Sequence, residues 1–292
     1  MKFSATLISI ALALAGSAQG HGHVFRRGPS ATFTPSNPTP APAPPQSVNP
    51  TNTIKRGVSY NDPKAADLFG SKISWQYNWS PVPGGNVNSG REFVPMLWGA
   101  DQGHTQNWID DATAAIAAGA THLLGFNEPD LGAQSNLTPQ QAADAWKKWM
   151  EPFAGKAKLC SPAITNGGPP MGTAWLDTFL SLCEGCTIDC IAIHIYDSSS
   201  NVAYFQKYIS DVGTKYNKPV WVTEGLRAPA DSEAQMGASG TTQQQQQFLQ
   251  TMLPFLDGLD SVERYAYFMA GGNILVDAAN NLLPLGQTYN TI

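Results

Sequence analysis

The stretch LLGFNEPDL, residues 123–131, writes a short apolar run and then sets Asn127 and Glu128 side by side ahead of Pro129. Asparagine and glutamate are poor strand formers and costly to bury. At the carboxyl end of an apolar run they read as a site placed where a strand stops, and the proline ends the strand. Outward from this stretch the same rhythm recurs. Short apolar runs stand at 57–60, 73–79, 93–99, 122–127, 158–164, 189–196, 219–225 and 264–270. Helical patterns lie between them: 107–119, 138–153 with Thr138 as cap, 172–183, 202–216 and 241–259. The run Gln243–Gln247 belongs to the last of these, since glutamine favours helices and Phe248, Met252 and Phe255 follow at turn spacing. Eight strands interleaved with helices over about 240 residues predict an α/β fold, a single (β/α)8 TIM barrel.

The segments before Gly57 have a different character. Residues 1–20 combine Lys2, an apolar stretch and small residues near Gly20, the pattern of a secretory signal peptide too short to span a bilayer. The mature product is therefore expected to be secreted, extracellular or in a cell wall. Residues 21–56 form a Pro/Ser/Thr-rich segment, expected to be disordered; within it, 28–53 hold 8 of the 22 prolines and no charge, so they cannot build a core. Dibasic pairs, Arg26-Arg27 and Lys55-Arg56, bracket that stretch as expected processing sites, leaving 57–292 as the catalytic domain. Cleavage after Gly20 would also expose His21 and His23, a copper-chelating pattern set aside because a disordered segment follows it.

Residues 1–56 carry five basic and no acidic residues; removing them from 17 basic and 22 acidic leaves a net charge of −10 on the domain. That disfavours nucleic acid and anionic membranes as partners and suits a neutral polysaccharide. Cys160, Cys183, Cys186 and Cys190 fall within 31 residues, and two disulfides are expected. Cys160–Cys190 with Cys183–Cys186 is the first choice, with Cys183–Cys190 equally reachable. No second CxxC or suitably spaced histidine supports a zinc site, so neither metal nor cofactor is expected. Asn78 and Asn136 stand in N-glycosylation sequons.

Glu128 and Glu224 end the fourth and seventh apolar runs, where a barrel keeps its chemistry. Two opposed carboxyl groups, one protonated and one ionised, are what glycosidic hydrolysis needs. Consecutive Asn127 and Glu128 require a local bulge if both are to face one pocket. The bland alternative has each glutamate capping a helix or pairing with a cation. His194 and Tyr196 share a strand face and should face the same pocket. Trp79 and Trp98 end their strands where a carbohydrate groove wants flat surfaces, whereas Trp221, out of phase with Glu224, is expected to face the helices. His122 begins its strand and reads as structural.

The strings LLGFNEPDL, IDCIAIHIYD and PVWVTEG, in that order, are similar to the catalytic core of glycoside hydrolase family 128, which includes the alkali-sensitive-linkage cell-wall proteins. The resemblance implies Glu128 as acid/base, Glu224 as nucleophile and Asn127 as the residue holding substrate beside Glu128, with His194 and Tyr196 lining the pocket. It implies internal cleavage of β-1,3-glucan with retention and without metal, by a protein expected to be monomeric. The family often reads His-Trp-Tyr where this chain has His194-Ile195-Tyr196, and a tryptophan within the run Tyr265–Phe268. A non-catalytic β-glucan-binding wall protein on the same barrel is the alternative.

Overall fold

The computed structural model describes residues 54–88, 90–227 and 241–292, with only the backbone of 226 and 227. The expected signal peptide, Arg26-Arg27, His21 and His23 and the proline-rich stretch lie outside the described residues. Strands and helices alternate: β1 (Arg56–Tyr60), α1 (Pro63–Ala66), β2 (Trp75–Tyr77), β3 (Glu92–Phe93), α2 (Gln102–Thr105), α3 (Trp108–Ala117), β4 (His122–Leu124) and α4 (Pro139–Trp149). Then follow β5 (Lys158–Cys160), α5 (Thr173–Leu182), β6 (Ile191–Tyr196), α6 (Val202–Tyr216), β7 (Val220–Arg227), α7 (Thr242–Gly258), β8 (Val262–Ala270) and α8 (Pro284–Thr291). Each expected strand and each of the five expected long helices is present. Helix α4 opens on a capping box made by Thr138 and Gln141, and α7 on one made by Thr241 and Gln244. The short α1 and α2, and α8, had no strong periodic signal.

The fold is α/β and TIM-barrel-like, but its ladders form a parallel sheet of six in the order β3-β2-β1-β8-β7-β6 and a pair β4-β5. Only single bridges, Met96–Leu124, Cys160–Cys190 and Ile164–Ile193 among them, join the two sheets. Pro95, just after β3, lacks the N–H that would face β4, and that interrupts the β3–β4 ladder. Between β5 and β6, Ala192 N turns to Ser161 Oγ at 3.0 Å in place of a backbone carbonyl. Where β5 meets β6 the Cys160–Cys190 disulfide joins the strands; Cys183–Cys186 closes the loop after α5.

Two apolar clusters fill the molecule. One lies between strands and helices. The other, enclosed by the strands, contains Trp75, Tyr77, Met96, Leu124, Cys160, Ala192, Trp221 and Ala266. Trp221 therefore faces the strand-enclosed interior, 5.0 Å from Trp75, and not the helices as expected. The reason is a bulge: Val222 pairs with Ile193 but Glu224 with His194, so Thr223 is an extra residue and both Trp221 and Glu224 turn inward.

The floor, at the amino ends of the strands, is charged. Arg264 pairs with Glu92 and its guanidinium lies 4.6 Å from the Trp221 ring. The ring nitrogens of His122 lie 3.8 Å from Glu92 and 3.7 Å from Glu263, which also accepts from Trp221 Nε1 at 2.8 Å. Lys55 and Arg56 belong to this floor, so the folded unit starts ahead of the expected Gly57: Arg56 is 3% exposed and opens β1.

Burial alone would raise Glu92 and Glu263, but His122 with Arg264 for the first, and His122, Trp221 and Lys158 for the second, hold both to about 2. Carboxyls depressed from 4.5 stabilise the fold fully above that pH and lose the contribution as pH falls toward 2. The melting temperature should fall steeply between pH 4.5 and 2, and Glu92→Gln should flatten that fall while lowering stability at pH 6 by about 2–3 kcal/mol. A variant whose melting profile parallels the wild type in acid would contradict this role for the floor.

Candidate active site

At the opposite end, four polar side chains converge with almost no exposure: Asn127 3%, Glu128 6%, His194 0% and Glu224 6%. Glu128 adopts φ +41°, a left-handed conformation uncommon for a residue with a Cβ. The backbone N–H of Asn127 reaches Trp98 O on one side, and that of Glu128 reaches Ala163 O on the other. The turn at Glu128 thus interrupts strand alternation and brings two consecutive side chains into one pocket, the local irregularity their spacing demanded. Asp130 locks the following loop by accepting from Thr165 Oγ1 at 2.6 Å and Gly172 N at 2.8 Å.

Glu224 is set by the β7 bulge and by Gly225, whose φ is +118° and where a Cβ would lie 2.0 Å from Ile195 O. Only glycine allows β7 to press so close to β6 there. Trp79 Nε1 donates to Glu224 Oε1 at 2.6 Å, and Tyr196 OH donates to Oε2 at 2.7 Å. His194 Nδ1 stands 2.9 Å from Glu128 Oε1 and 3.5 Å from Glu224 Oε2. One carboxyl oxygen from each glutamate and one ring nitrogen of His194 lie within 4.8 Å of one another.

Burial raises the Glu224 carboxyl, and repulsion from Glu128 adds to it; His194, Tyr196 and Trp79 pull the other way without cancelling the rise. Burial disfavours charge on His194, but Glu224 and Glu128 outweigh it and raise its pKa. Three ligand-type atoms this close could accept a divalent cation, but donors already occupy both oxygens of Glu224. A second such cluster, His122, Cys190 and Glu263, has its sulfur in a disulfide.

Asn127 Nδ2 donates to Gln134 Oε1 at 3.2 Å, while its Oδ1 and His194 Nε2 are buried without a protein partner. Both are polar atoms that a ligand would satisfy. Trp79 stands differently from expectation: in addition to offering a ring, it hydrogen-bonds a carboxylate, pinned 5.1 Å from Tyr77 and 5.4 Å from Phe268. Trp98 is half-buried and stacks on His104 at 4.8 Å, so its other face is the one left for a ligand. Asn136 is exposed with φ +47°, while Asn78 is half-buried and donates to Val82 O at 2.9 Å. The sequence reading missed Gln134 and Phe268. Phe268 had a signal, since Arg264, Ala266 and Phe268 alternate on one face of β8.

The chain matches the family profile described as "Glycosyl hydrolase catalytic core" over residues 57–289. It is 43% identical to a solved structure, a GH128 subgroup III curdlan-specific exo-β-1,3-glucanase from Blastomyces gilchristii in complex with glucose; the match covers 82% of this chain and 98% of that one, with a TM-score of 0.73. The chain belongs to glycoside hydrolase family 128. A subgroup II endo-β-1,3-glucanase of the family, from Sorangium cellulosum, is 29% identical over 81% of this chain and 98% of its own, at TM-score 0.67. Alkali-sensitive linkage protein 1 of Schizosaccharomyces pombe is 31% identical over 252 residues, 80% of this chain; the chain spans 44% of that protein's length. Membership makes the protein a hydrolase, and the buried carboxyl pair of this family 128 enzyme is where its chemistry is to be sought.

Trp79 and Tyr196 each favour the ionised form of Glu224 against its burial. Trp79→Phe or Tyr196→Phe should move the acid limb of kcat/KM up by about one pH unit, the worth of one charge-assisted hydrogen bond. An unmoved limb in both variants would show that these donors do not govern the carboxylate.

Proposed function

We propose that the protein is a secreted, retaining endo-β-1,3-glucanase on a single closed (β/α)8 barrel, which cleaves cell-wall β-glucan by double displacement. The observation that carries this reading is that one oxygen of Glu128 and one of Glu224 lie within 4.8 Å, with His194 Nδ1 reaching an oxygen of each. Retaining enzymes hold their carboxyl groups about 5–5.5 Å apart, whereas inverting ones need roughly 6.5–9.5 Å to admit a water.

Glu224, held by Trp79 and Tyr196, attacks the anomeric carbon while Glu128 passes its proton to the departing glycosidic oxygen. The bond to the leaving sugar breaks as an ester to Glu224 forms. Glu128, now ionised, takes a proton from water, which attacks the same carbon and releases Glu224. Atoms and charge balance with no metal or cofactor. His194 Nδ1, beside both carboxyl groups, steadies whichever of them carries charge at each step. Asn127 Oδ1 and His194 Nε2 take up hydroxyl groups of the sugar, and the rings of Trp79 and Trp98 pack on its C–H faces.

The signal-peptide pattern of residues 1–20 supports a secreted, cell-wall or extracellular location, and no described helix is long and apolar enough to cross a membrane. The expected partner is β-1,3-glucan or its oligosaccharides, bound by a monomer glycosylated at Asn136 and, where the sequon is used, at Asn78. Exo action is the second reading, favoured by the 43% identical Blastomyces exo-glucanase; the endo reading draws on the Sorangium and Amycolatopsis mediterranei endo-glucanases.

On linear β-1,3-glucan the endo reading expects viscosity to collapse before much reducing sugar appears, with oligosaccharides as early products; glucose alone with slow viscosity loss would establish exo action. Early products should be β-anomers, and α-anomers would exclude retention. Glu224→Gln should lose at least about 10⁴-fold in kcat. Glu128→Ala should fail on glucan yet keep its first step on substrates with activated leaving groups, with azide rescuing the second. Equal activity of Glu224→Gln and wild type would remove the nucleophile.

A further inference from the structure

The dibasic pair Lys55-Arg56 has the sequence of an endoprotease site but the surroundings of a core. Arg56 forms the first residue of β1 and pairs with Tyr265 of β8, while its carbonyl accepts from Ser74 N at 3.0 Å. Its guanidinium donates to Tyr289 O at 2.5 Å and to Tyr265 OH at 3.2 Å, lies 3.8 Å from Asp257, and covers the Tyr289 ring at 5.2 Å. The Lys55 ammonium donates to Leu259 O at 3.0 Å and Leu256 O at 3.4 Å at the carboxyl end of α7, where a cation is favoured and Leu259 O also accepts from Val262 N at 2.9 Å. Its own carbonyl accepts from both Tyr265 N and Trp75 Nε1 at 3.0 Å. Tyr289 OH closes the group on Gly57 O at 2.8 Å, next to the bond that processing would cut.

An endoprotease needs several residues extended in its cleft and the arginine side chain free to enter a pocket. Chains are nicked at exposed or locally unfolded segments. Here the arginine is buried and the backbone on both sides of the Arg56–Gly57 bond is committed to β2, β8 and α8. We infer that Lys55 and Arg56 are a structural clasp that withholds this dibasic sequence from processing once the chain has folded. Cleavage at this pair therefore does not release the segment ahead of residue 54 from the folded domain. This inference is independent of which glycan is cleaved.

The full secreted chain should be incubated with a dibasic-specific endoprotease, alongside a synthetic peptide of residues 50–62. The peptide should be cut to completion after Arg56, while the native protein yields no fragment beginning at Gly57; unfolding in urea should expose the site. A Gly57 terminus appearing from native protein at the peptide's rate would overturn the clasp. A chain expressed from Gly57 should melt roughly 5–10 °C below one expressed from Thr53, or fail to accumulate. Equal melting temperatures would likewise overturn it.

Discussion

One imidazole nitrogen stands between two buried carboxyl groups, and most of the upper half of the molecule exists to keep it there. His194 Nδ1 touches Glu128 at 2.9 Å and approaches Glu224 at 3.5 Å in a pocket almost closed to water. Two like charges so placed repel, and each has lost its hydration. The imidazole, the Trp79 indole and the Tyr196 hydroxyl supply replacement donors. Each donor is held by further packing: Trp79 by Tyr77 and Phe268, and His194 by the pairing of β6 with the bulged β7. The left-handed turn at Glu128 brings in the last member.

The two ends of the strands solve the same problem in opposite ways. At the floor, Arg264, His122 and Lys158 overcompensate Glu92 and Glu263, so both carboxyls are pulled down and stabilise the fold. Around Glu224 the donors fall short of the burial cost, and the carboxyl is pushed up. A carboxyl fully satisfied by a permanent cation would be inert. One held by neutral donors beside a second acid stays reactive, and the stability given up there is carried by the floor and by the aromatic interior between them. Trp75, Tyr77 and Trp221 stack in that interior, with Tyr77 against Trp79 at the site end.

Sequence periodicity was enough to place eight strands and the long helices, because each apolar run ends at a turn residue or cap. It was not enough to foresee the division of the sheet, although Pro95 was visible within its run; a proline's effect on pairing depends on which neighbour its missing N–H would have met. Glu128, Glu224, His194 and Asn127 were legible as strand-end polar residues, and the structure brings all four together. Trp221 was misjudged because strict alternation was assumed through Thr223, and a one-residue bulge is invisible without the partner strand. The hydrogen bond from Trp79 was hidden for a similar reason: sequence shows that an aromatic ends β2, not that its ring nitrogen faces β7. Lys55-Arg56 reads as a processing signal in one dimension and as a clasp in three.

In the proposed mechanism Glu224 takes the sugar. A 2-deoxy-2-fluoro β-glucosyl or laminaribiosyl donor with a good leaving group should trap the glycosyl-enzyme, and mass spectrometry of the digested protein reads the site. One added glycosyl mass is expected, on the peptide containing Glu224 and absent from Glu224→Gln. A label on Glu128, or rapid turnover with no trapped species, would contradict it.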